Sequence, residues 1–407
     1  LCNFNQTAQR LRLDEAMIGR IAEPHEKIQV AADPILSDGR SFHFRAFVVR
    51  HNDVLGPAKG GIRMASNVTL DDVTGLAMEM TWKTSLIGVP FGGGKCGICA
   101  DPASLSPLDK ETVVRSFTRQ IRRHIGPELY VPAPDMGTNE RDMGHIRDCI
   151  SYSSGTSIPA GCFVTGKPVV LGGILGRREA TGRGVVTTIA AACERLGLRP
   201  SQLTAAVQGF GNVGANAAVA AAELGFTVVA VSDVSSGTFH KDGLDIPALV
   251  KHVQATGNVK GFKGGTDVPR DNVLEAECDV LIPAAAGSAI TEENAPRIRA
   301  KMIAEGANAP LTPPADEILN ARKTFIIPDI LCNAGGVFVS YLEYTQETQR
   351  DQMTSDEVEE RLSERMRTTF EQVYQRAQET QQTMRHSAMD IAVSRVVDGI
   401  TARGLLP

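Results

Sequence analysis

The chain has 407 residues, 42% hydrophobic and 22% charged, with a formal net charge of −5, which allows two domains and a large core of ordinary globular composition. The absence of a long basic run argues against a nucleic-acid partner, no apolar run is long enough to span a membrane, and the first eleven residues lack the apolar core of a secretion signal. Eight cysteines are scattered along the chain; Cys96 and Cys99 form a CxxC with no second pair to complete a zinc site, so no metal is expected, and the thiols read as small buried hydrophobes of a protein kept in a reducing cytoplasm.

Taken in order, Ser37-Asp38-Gly39-Arg40 is a turn signal between two strand-like runs, 27–36 and 41–50, the second with Phe42, Phe44, Ala46 and Val48 on one face. Lys59 follows, flanked by glycines in GPAKGGIR (56–63). Residues 69–85 read as a helix capped by Thr69 and stopped by Gly88, with Lys83 near its C-terminus. Gly92-Gly93-Gly94 then precedes Lys95 and reads as a glycine loop. A lysine drawn into a cleft behind such a loop, close to a second cation, loses its proton more readily and can act as a base near neutral pH. The alternative, a solvated lysine, stands level with this for Lys83, whereas glycines ahead of Lys95 have no purpose on a solvated face. Lysines 59, 83 and 95 together suit a substrate with more than one carboxylate.

Residues 106–126 carry a Ser106 cap, Pro107 in the first turn and an apolar stripe of Val113, Val114, Phe117, Ile121 and Ile125, the pattern of a scaffold helix. The stretch Val131-Pro-Ala-Pro-Asp135 comes next, with Thr138 placed to cap a helix over 139–152. Asp135 reads either as a turn or cap residue or as an acid/base carboxylate positioned by the rigid Pro-Ala-Pro lead-in.

The second half opens with a helix over 181–197, then a strand over 203–208, Gly209-Phe-Gly211-Asn212-Val213-Gly214, a helix over 212–224 and a strand over 226–232 closed by Asp233. Strand, G-x-G-x-x-G, helix, and an acid about 20 residues on form a dinucleotide-binding β-α-β unit. The glycines bring a pyrophosphate onto the helix N-terminus and the acid holds ribose hydroxyls. Further buried strands over 278–283, 301–305 and 324–327 alternate with helical segments, and Asn308 and Asn333 fall at their ends, where a doubly wound sheet binds ligands. From Gly335 onward the chain reads as helical.

GPAKGGIR (56–63), MTWKTSLIGVPFGGGK (80–95), PAPDMGT (132–138), GRREATGRG (176–184), QGFGNVG (208–214), EGANAPLTPPAD (305–316) and NAGGVFVSYLE (333–343) together resemble the glutamate/leucine/phenylalanine/valine dehydrogenases, and among them the glutamate enzymes. The resemblance implies an α/β protein of two domains facing a cleft. The first is a mixed α/β substrate-binding and oligomerisation domain over 1–180, to which the C-terminal helix, about 375–407, returns. The second is a Rossmann-like doubly wound dinucleotide-binding domain over 181–374. The implied activity is reversible oxidative deamination of L-glutamate to 2-oxoglutarate and ammonia with hydride transfer to NAD or NADP, in a homohexamer. By the same resemblance Lys95 activates water, Asp135 shuttles protons, Lys83 holds the α-carboxylate, and Lys59 with Ser340 holds the γ-carboxylate. Thr181 and Asn212 contact the cofactor, joined by Gly209, Gly211, Val213, Gly214, Asp233 and Asn308.

Asp233 would repel a 2′-phosphate and favours NAD, while His240 and Lys241 keep NADP open. Two other readings stand beside this one: a branched-chain or aromatic amino acid dehydrogenase, and a catalytically silent nucleotide-binding regulatory subunit. The first calls for an apolar residue where Lys59 stands, and the second for loss of Lys95 or Asp135.

Overall fold

The computed structural model describes residues 2–155 and 161–404. The chain divides into two units, one made of residues 1–177, 337–358 and 389–407, the other of 178–336 and 359–388. The first boundary falls at the end of Arg177. The return to the first unit differs from the single C-terminal segment expected: 337–358 belongs to it as well, and 359–388 to the second. Unbroken helices over Gly335–Gln349, Ser355–Thr380 and Met384–Arg403 carry these changes, so no linker composition marks them.

The first unit is built on a five-stranded sheet in the order β1-β2-β4-β3-β5. Its strands are β1 (Glu26–Ala32), β2 (Phe44–Asn52), β3 (Ala58–Met64), β4 (Gly92–Ile98) and β5 (Tyr130–Pro134). β1 and β2 form the expected antiparallel pair, Ala32 opposite Phe44. β3 runs parallel to both β4 and β5. Alternation decides the two faces. Phe44, Ala46, Val48, Ile62, Met64, Cys96 and Ile98 pack on the Pro107–Ile121 and Glu140–Ser154 helices through Val113, Phe117, Met143 and Ile146. Phe47 and Val49 meet Val73 and Ala77 of the Leu70–Ile87 helix on the opposite face. That helix starts with a capping box between Thr69 and Asp72 and ends on Gly88 in the left-handed region at φ 70°.

The glycines before Lys95 do not form the loop expected of them. Gly92-Gly93-Gly94 is not a loop; it opens β4, an interior strand whose seven residues are all buried. A side chain at Gly93 would run into Thr81 of the Leu70–Ile87 helix, and one at Gly94 into the Tyr130 ring. The glycines let helix and strand pack at backbone distance. Pro132 and Pro134 fit β5 because it is an edge strand.

The second unit holds a seven-stranded sheet in the order β12-β11-β10-β6-β7-β8-β9. Its strands are β6 (Thr204–Gln208), β7 (Thr227–Ser232), β8 (Gly237–Phe239), β9 (Thr266–Val268), β10 (Val280–Pro283), β11 (Met302–Ala304) and β12 (Phe325–Ile327). β12 to β7 are parallel and doubly wound. β8 and β9 add an antiparallel edge that the sequence reading left out; at three residues each they are too short to show alternation. The order reverses at β6, whose C-terminal end leads into Gly209. No described helix is long and apolar enough to cross a membrane.

Candidate active site

Lys59, Gly61 and Arg63 lie on one face of β3, and register places Lys95 of β4 and Asp135, just past β5, on the same face. The Leu70–Ile87 helix, which carries the buried Lys83, covers that face. Lys95 is 3% exposed, and its Nζ donates to Asp135 Oδ2 at 2.5 Å. Arg63 Nε donates to the other carboxylate oxygen at 3.0 Å. Asp135 reaches this position over Gly61, where a β-carbon would stand 2.6 Å from its own Cβ. Burial works to raise the Asp135 pKa, but Lys95 and then Arg63 outweigh it and hold the carboxyl below the usual carboxylate value.

The cap reading of Asp135 is set aside by these bonds. Asn139, with Asp142, caps the Glu140–Ser154 helix. Thr138 does not cap it either: its hydroxyl donates to the Ile62 carbonyl at 2.8 Å and accepts from Asp135 N at 3.0 Å, tying Asp135 to β3. Lys95, expected to lose its proton readily in a cleft beside a second cation, is ion-paired to Asp135.

Lys59 is 2% exposed. Among the described residues it has no hydrogen-bonding or ion-pairing partner. Burial, and then the like charge of Arg177, lowers its pKa to about 7, with Glu343 pulling the other way and Lys167 adding repulsion. Arg177 Nε is buried without a hydrogen-bond partner. Ser340, on the Gly335–Gln349 helix, is 2% exposed and shares a 2.5 Å hydroxyl hydrogen bond with Thr165. One turn further on, Glu343 accepts from the Gly166 N–H at 2.7 Å and from Lys167 Nζ at 2.7 Å, and Glu347 takes a second contact from Lys167 at 2.9 Å. Lys167 is thereby neutralised, and Lys59 is not. Arg63, Thr165, Lys167, Arg177 and Glu343 were not picked out from sequence. Arg63 and Arg177 sit inside the distinctive stretches 56–63 and 176–184; the Glu343 pairing spans 176 residues and leaves no local signal.

In the second unit the glycine turn fits a dinucleotide. Gly209 sits at φ +95°, and a Cβ there would stand 2.8 Å from that of Ala285. A Cβ on Gly214 would overlap the Gly209 carbonyl. Gly211 faces open space and offers no side-chain cap to the Asn212–Glu223 helix, so the first-turn N–H groups of Asn212, Val213 and Gly214 remain for a phosphate. Asn212 Nδ2 donates to the Arg178 carbonyl at 2.9 Å. Thr181 lies in the first turn of the Ala180–Leu196 helix. Asp233 closes β7; its carboxylate accepts from the N–H groups of Ser235, Ser236 and Val259 at 2.7, 3.1 and 2.7 Å. Asn308 is exposed past β11 and accepts from Asn333 Nδ2 at 3.1 Å, while Asn333 Oδ1 is buried without a partner. Among the described residues no cluster of His, Cys, Asp and Glu could hold a metal ion.

Two family models match, both for the Glu/Leu/Phe/Val dehydrogenases: the dimerisation domain over residues 24–152 and the dehydrogenase domain over 172–404. A glutamate dehydrogenase of Thermotoga maritima is 42% identical over 405 residues, covering 99% of this chain and 97% of its own length. The NAD-specific glutamate dehydrogenase A of Halobacterium salinarum is 40% identical, covering 98% and 91%. The hetero-hexameric glutamate dehydrogenase of Thermus thermophilus, in a leucine-bound crystal structure, superposes with a TM-score of 0.94 at 32% identity, covering 99% and 97%.

Proposed function

The chain belongs to the Glu/Leu/Phe/Val dehydrogenase family, and from that premise we propose that it catalyses the reversible oxidative deamination of L-glutamate to 2-oxoglutarate and ammonia. The observation that carries the choice of glutamate is Lys59: a buried cation with no counter-ion among the described residues, in the same unit as the Lys95–Asp135 pair. A buried ammonium without a partner is costly, and a side-chain carboxylate supplies the missing charge. Leucine, valine or phenylalanine would leave Lys59 desolvated and unpaired. A silent regulatory subunit would have no use for the Lys95–Asp135 pair.

In this reading the γ-carboxylate meets Lys59 and the Ser340 hydroxyl, and the α-carboxylate meets Lys83. Asp135, held ionised, takes a proton from the α-ammonium group. A nicotinamide cofactor, held through the Gly209–Gly214 turn, would supply the acceptor for the hydride that leaves Cα. Lys95, once neutral, takes a proton from water as its oxygen bonds to the imino carbon. Asp135 then returns its proton to the nitrogen, the C–N bond breaks, and ammonia leaves with the hydroxyl proton as ammonium. Lys95 releases the remaining proton to solvent, which closes the balance. The residues chiefly hold and move protons at fixed positions, the part of the barrier that orientation lowers most.

For the cofactor, the Gly209–Gly214 turn, Thr181 and Asn308 support NAD(P), and Asp233 supports NAD over NADP. The carboxylate is fixed by three backbone N–H groups and held below the usual carboxylate value: burial opposes this, and hydrogen bonds led by Ser235 outweigh it. A 2′-phosphate would meet a fixed negative charge. A homohexamer is the assembly proposed: the dimerisation-domain match supports subunit association, and the hetero-hexameric relative supports six subunits without bearing on whether they are identical. The free thiols of Cys96, Cys99, Cys149, Cys162, Cys193, Cys278 and Cys332 support a cytoplasmic location. The test is a spectrophotometric screen of glutamate, leucine, valine and phenylalanine with NAD and with NADP. Turnover of glutamate with NAD well above every other pairing is the expected result; a preference for leucine, valine or phenylalanine overturns the reading.

A further inference from the structure

We propose that Arg63 is a positioning residue that holds the Asp135 carboxylate independently of Lys95, leaving Lys95 free to lose and regain its proton. The inference rests on the proposed reaction and deepens it. Asp135 is gripped at both oxygens by different cations, Arg63 Nε on Oδ1 at 3.0 Å and Lys95 Nζ on Oδ2 at 2.5 Å. A buried carboxylate with a single counter-ion binds that partner's proton strongly, because losing it strands a charge away from water. If Lys95 stood alone with Asp135, losing its proton ahead of the reaction, while Asp135 is still ionised, would leave the carboxylate unpaired. Arg63 removes that obstacle: a guanidinium stays charged throughout, so Asp135 keeps one ion pair whatever the state of Lys95.

The local structure is built for this grip. Parallel pairing sets Ile62 beside Pro134, so the next residues, Arg63 and Asp135, lie side by side. Gly61 leaves the space over which Asp135 reaches, and Thr138 pins the Asp135 backbone to the Ile62 carbonyl. The charged and titratable groups on this face are few. Lys59 lies two positions back along β3. Lys83 is on the covering helix. His51 of β2 bonds Thr81 of that helix and is kept neutral by burial, its pKa lowered to about 4; Cys96 of β4 and Tyr130 of β5 lie on the other face. Among the described residues, Arg63 and Lys95 are the cations that bond Asp135.

The test is the pH dependence of kcat/KM for glutamate deamination in the parent and in Arg63→Met, Arg63→Gln and Arg63→Lys. Gln keeps a donor without the charge, and Lys keeps the charge without the fork. The rising limb is expected to move to higher pH by about one unit in Arg63→Met and Arg63→Gln, following the effect of one nearby charge, and to return most of the way in Arg63→Lys. At pH 7 this reads as roughly a tenfold loss. A limb that stays in place in both neutral variants, with only a uniform fall in rate, overturns the proposal and leaves Arg63 a structural residue. Should Arg63→Met fail to fold by circular dichroism, Arg63→Gln against Arg63→Lys decides alone. Failure of the underlying reaction scheme is separately visible: Lys95→Ala would then turn over glutamate at the parent rate.

Discussion

The Thr165 and Ser340 hydroxyls meet at 2.5 Å although 175 residues separate them in the chain, and both are buried. The bond fixes the Ser340 rotor, so its oxygen presents a defined direction to a ligand. Neither the helix that carries Ser340 nor the segment that carries Thr165 explains this pairing locally; the Lys167–Glu343 ion pair clamps the two together one turn away. Removing the Ser340 hydroxyl deletes one hydrogen bond to a charged group, about 1.5–3 kcal/mol. Ser340→Ala is expected to raise the KM for glutamate by roughly tenfold to a hundredfold by that figure, and Thr165→Val by less. Steady-state kinetics at fixed cofactor checks both; a larger effect from Thr165→Val contradicts the assignment of Ser340 as the contacting group.

Diacid binding should take up a proton. Lys59 titrates at about 7 in the free chain because burial comes first and Arg177 second. A bound carboxylate favours the ammonium, so the pKa is higher in the complex than in the free chain. The sign follows from linkage: below pH 7 the site is already charged and affinity is flat, and above it each further unit weakens binding by roughly tenfold until the bound-state value is reached. Calorimetric titration of glutarate, a non-reacting diacid, at pH 6.5, 7.5 and 8.5 in two buffers reads this directly. A dissociation constant that is level across the series, with no buffer-dependent heat, contradicts it.

One guanidinium meets three carboxyls in the second unit, those of Glu305, Asp316 and Asp329. Arg385 bonds both oxygens of Glu305, which is 0% exposed, and donates to Asp316 at 2.9 Å. Burial pushes Glu305 up to about 7 even with Arg385 against it. Glu305 in turn accepts the Asp329 N–H at 2.8 Å, and Asp329 accepts the Ala309 N–H at 2.8 Å, so the cluster shapes the segment bearing Asn308. Arg385→Met leaves buried carboxyls without their cation, which costs about 3–5 kcal/mol. Adding Glu305→Gln should recover part of that loss, and thermal melts of the two single variants and the double variant measure the coupling. A double variant less stable than Arg385→Met would show that Glu305 is not the residue Arg385 serves.

Cofactor choice is expected to turn on Asp233. Asp233→Ser removes the charge a 2′-phosphate would meet and keeps a small acceptor. The ratio of kcat/KM for NADP to that for NAD should rise by roughly tenfold or more, the scale of one charged hydrogen-bonding contact. An unchanged ratio would move the determinant elsewhere on the β7–β8 edge.

Much of this was legible in the sequence because the signals are local. Thr69, Gly88, Ser106 and Gly197 mark helix ends through the backbone geometry each supports, and all four stand at those ends. The β6–Gly209–Gly214 unit is contiguous, so its spacing sufficed. The triglycine before Lys95 misled because glycine serves a loop and a tight helix–strand contact alike. Only tertiary packing, with Thr81 against Gly93 and Tyr130 against Gly94, separates the two. The Arg63–Asp135 bond follows from parallel strand register, and the Thr165–Ser340 and Lys167–Glu343 bonds from chain return inside unbroken helices. Neither leaves a mark in the local residue pattern.

The role proposed for Lys59 is to select a diacid. Its most direct test is kcat/KM for L-glutamate and for L-norvaline, which has no side-chain carboxylate, in the parent and in Lys59→Leu. A fall of roughly a hundredfold or more is expected for glutamate, the scale of a buried charge-assisted bond, with norvaline unchanged or improved. Equal losses for the two substrates would contradict it.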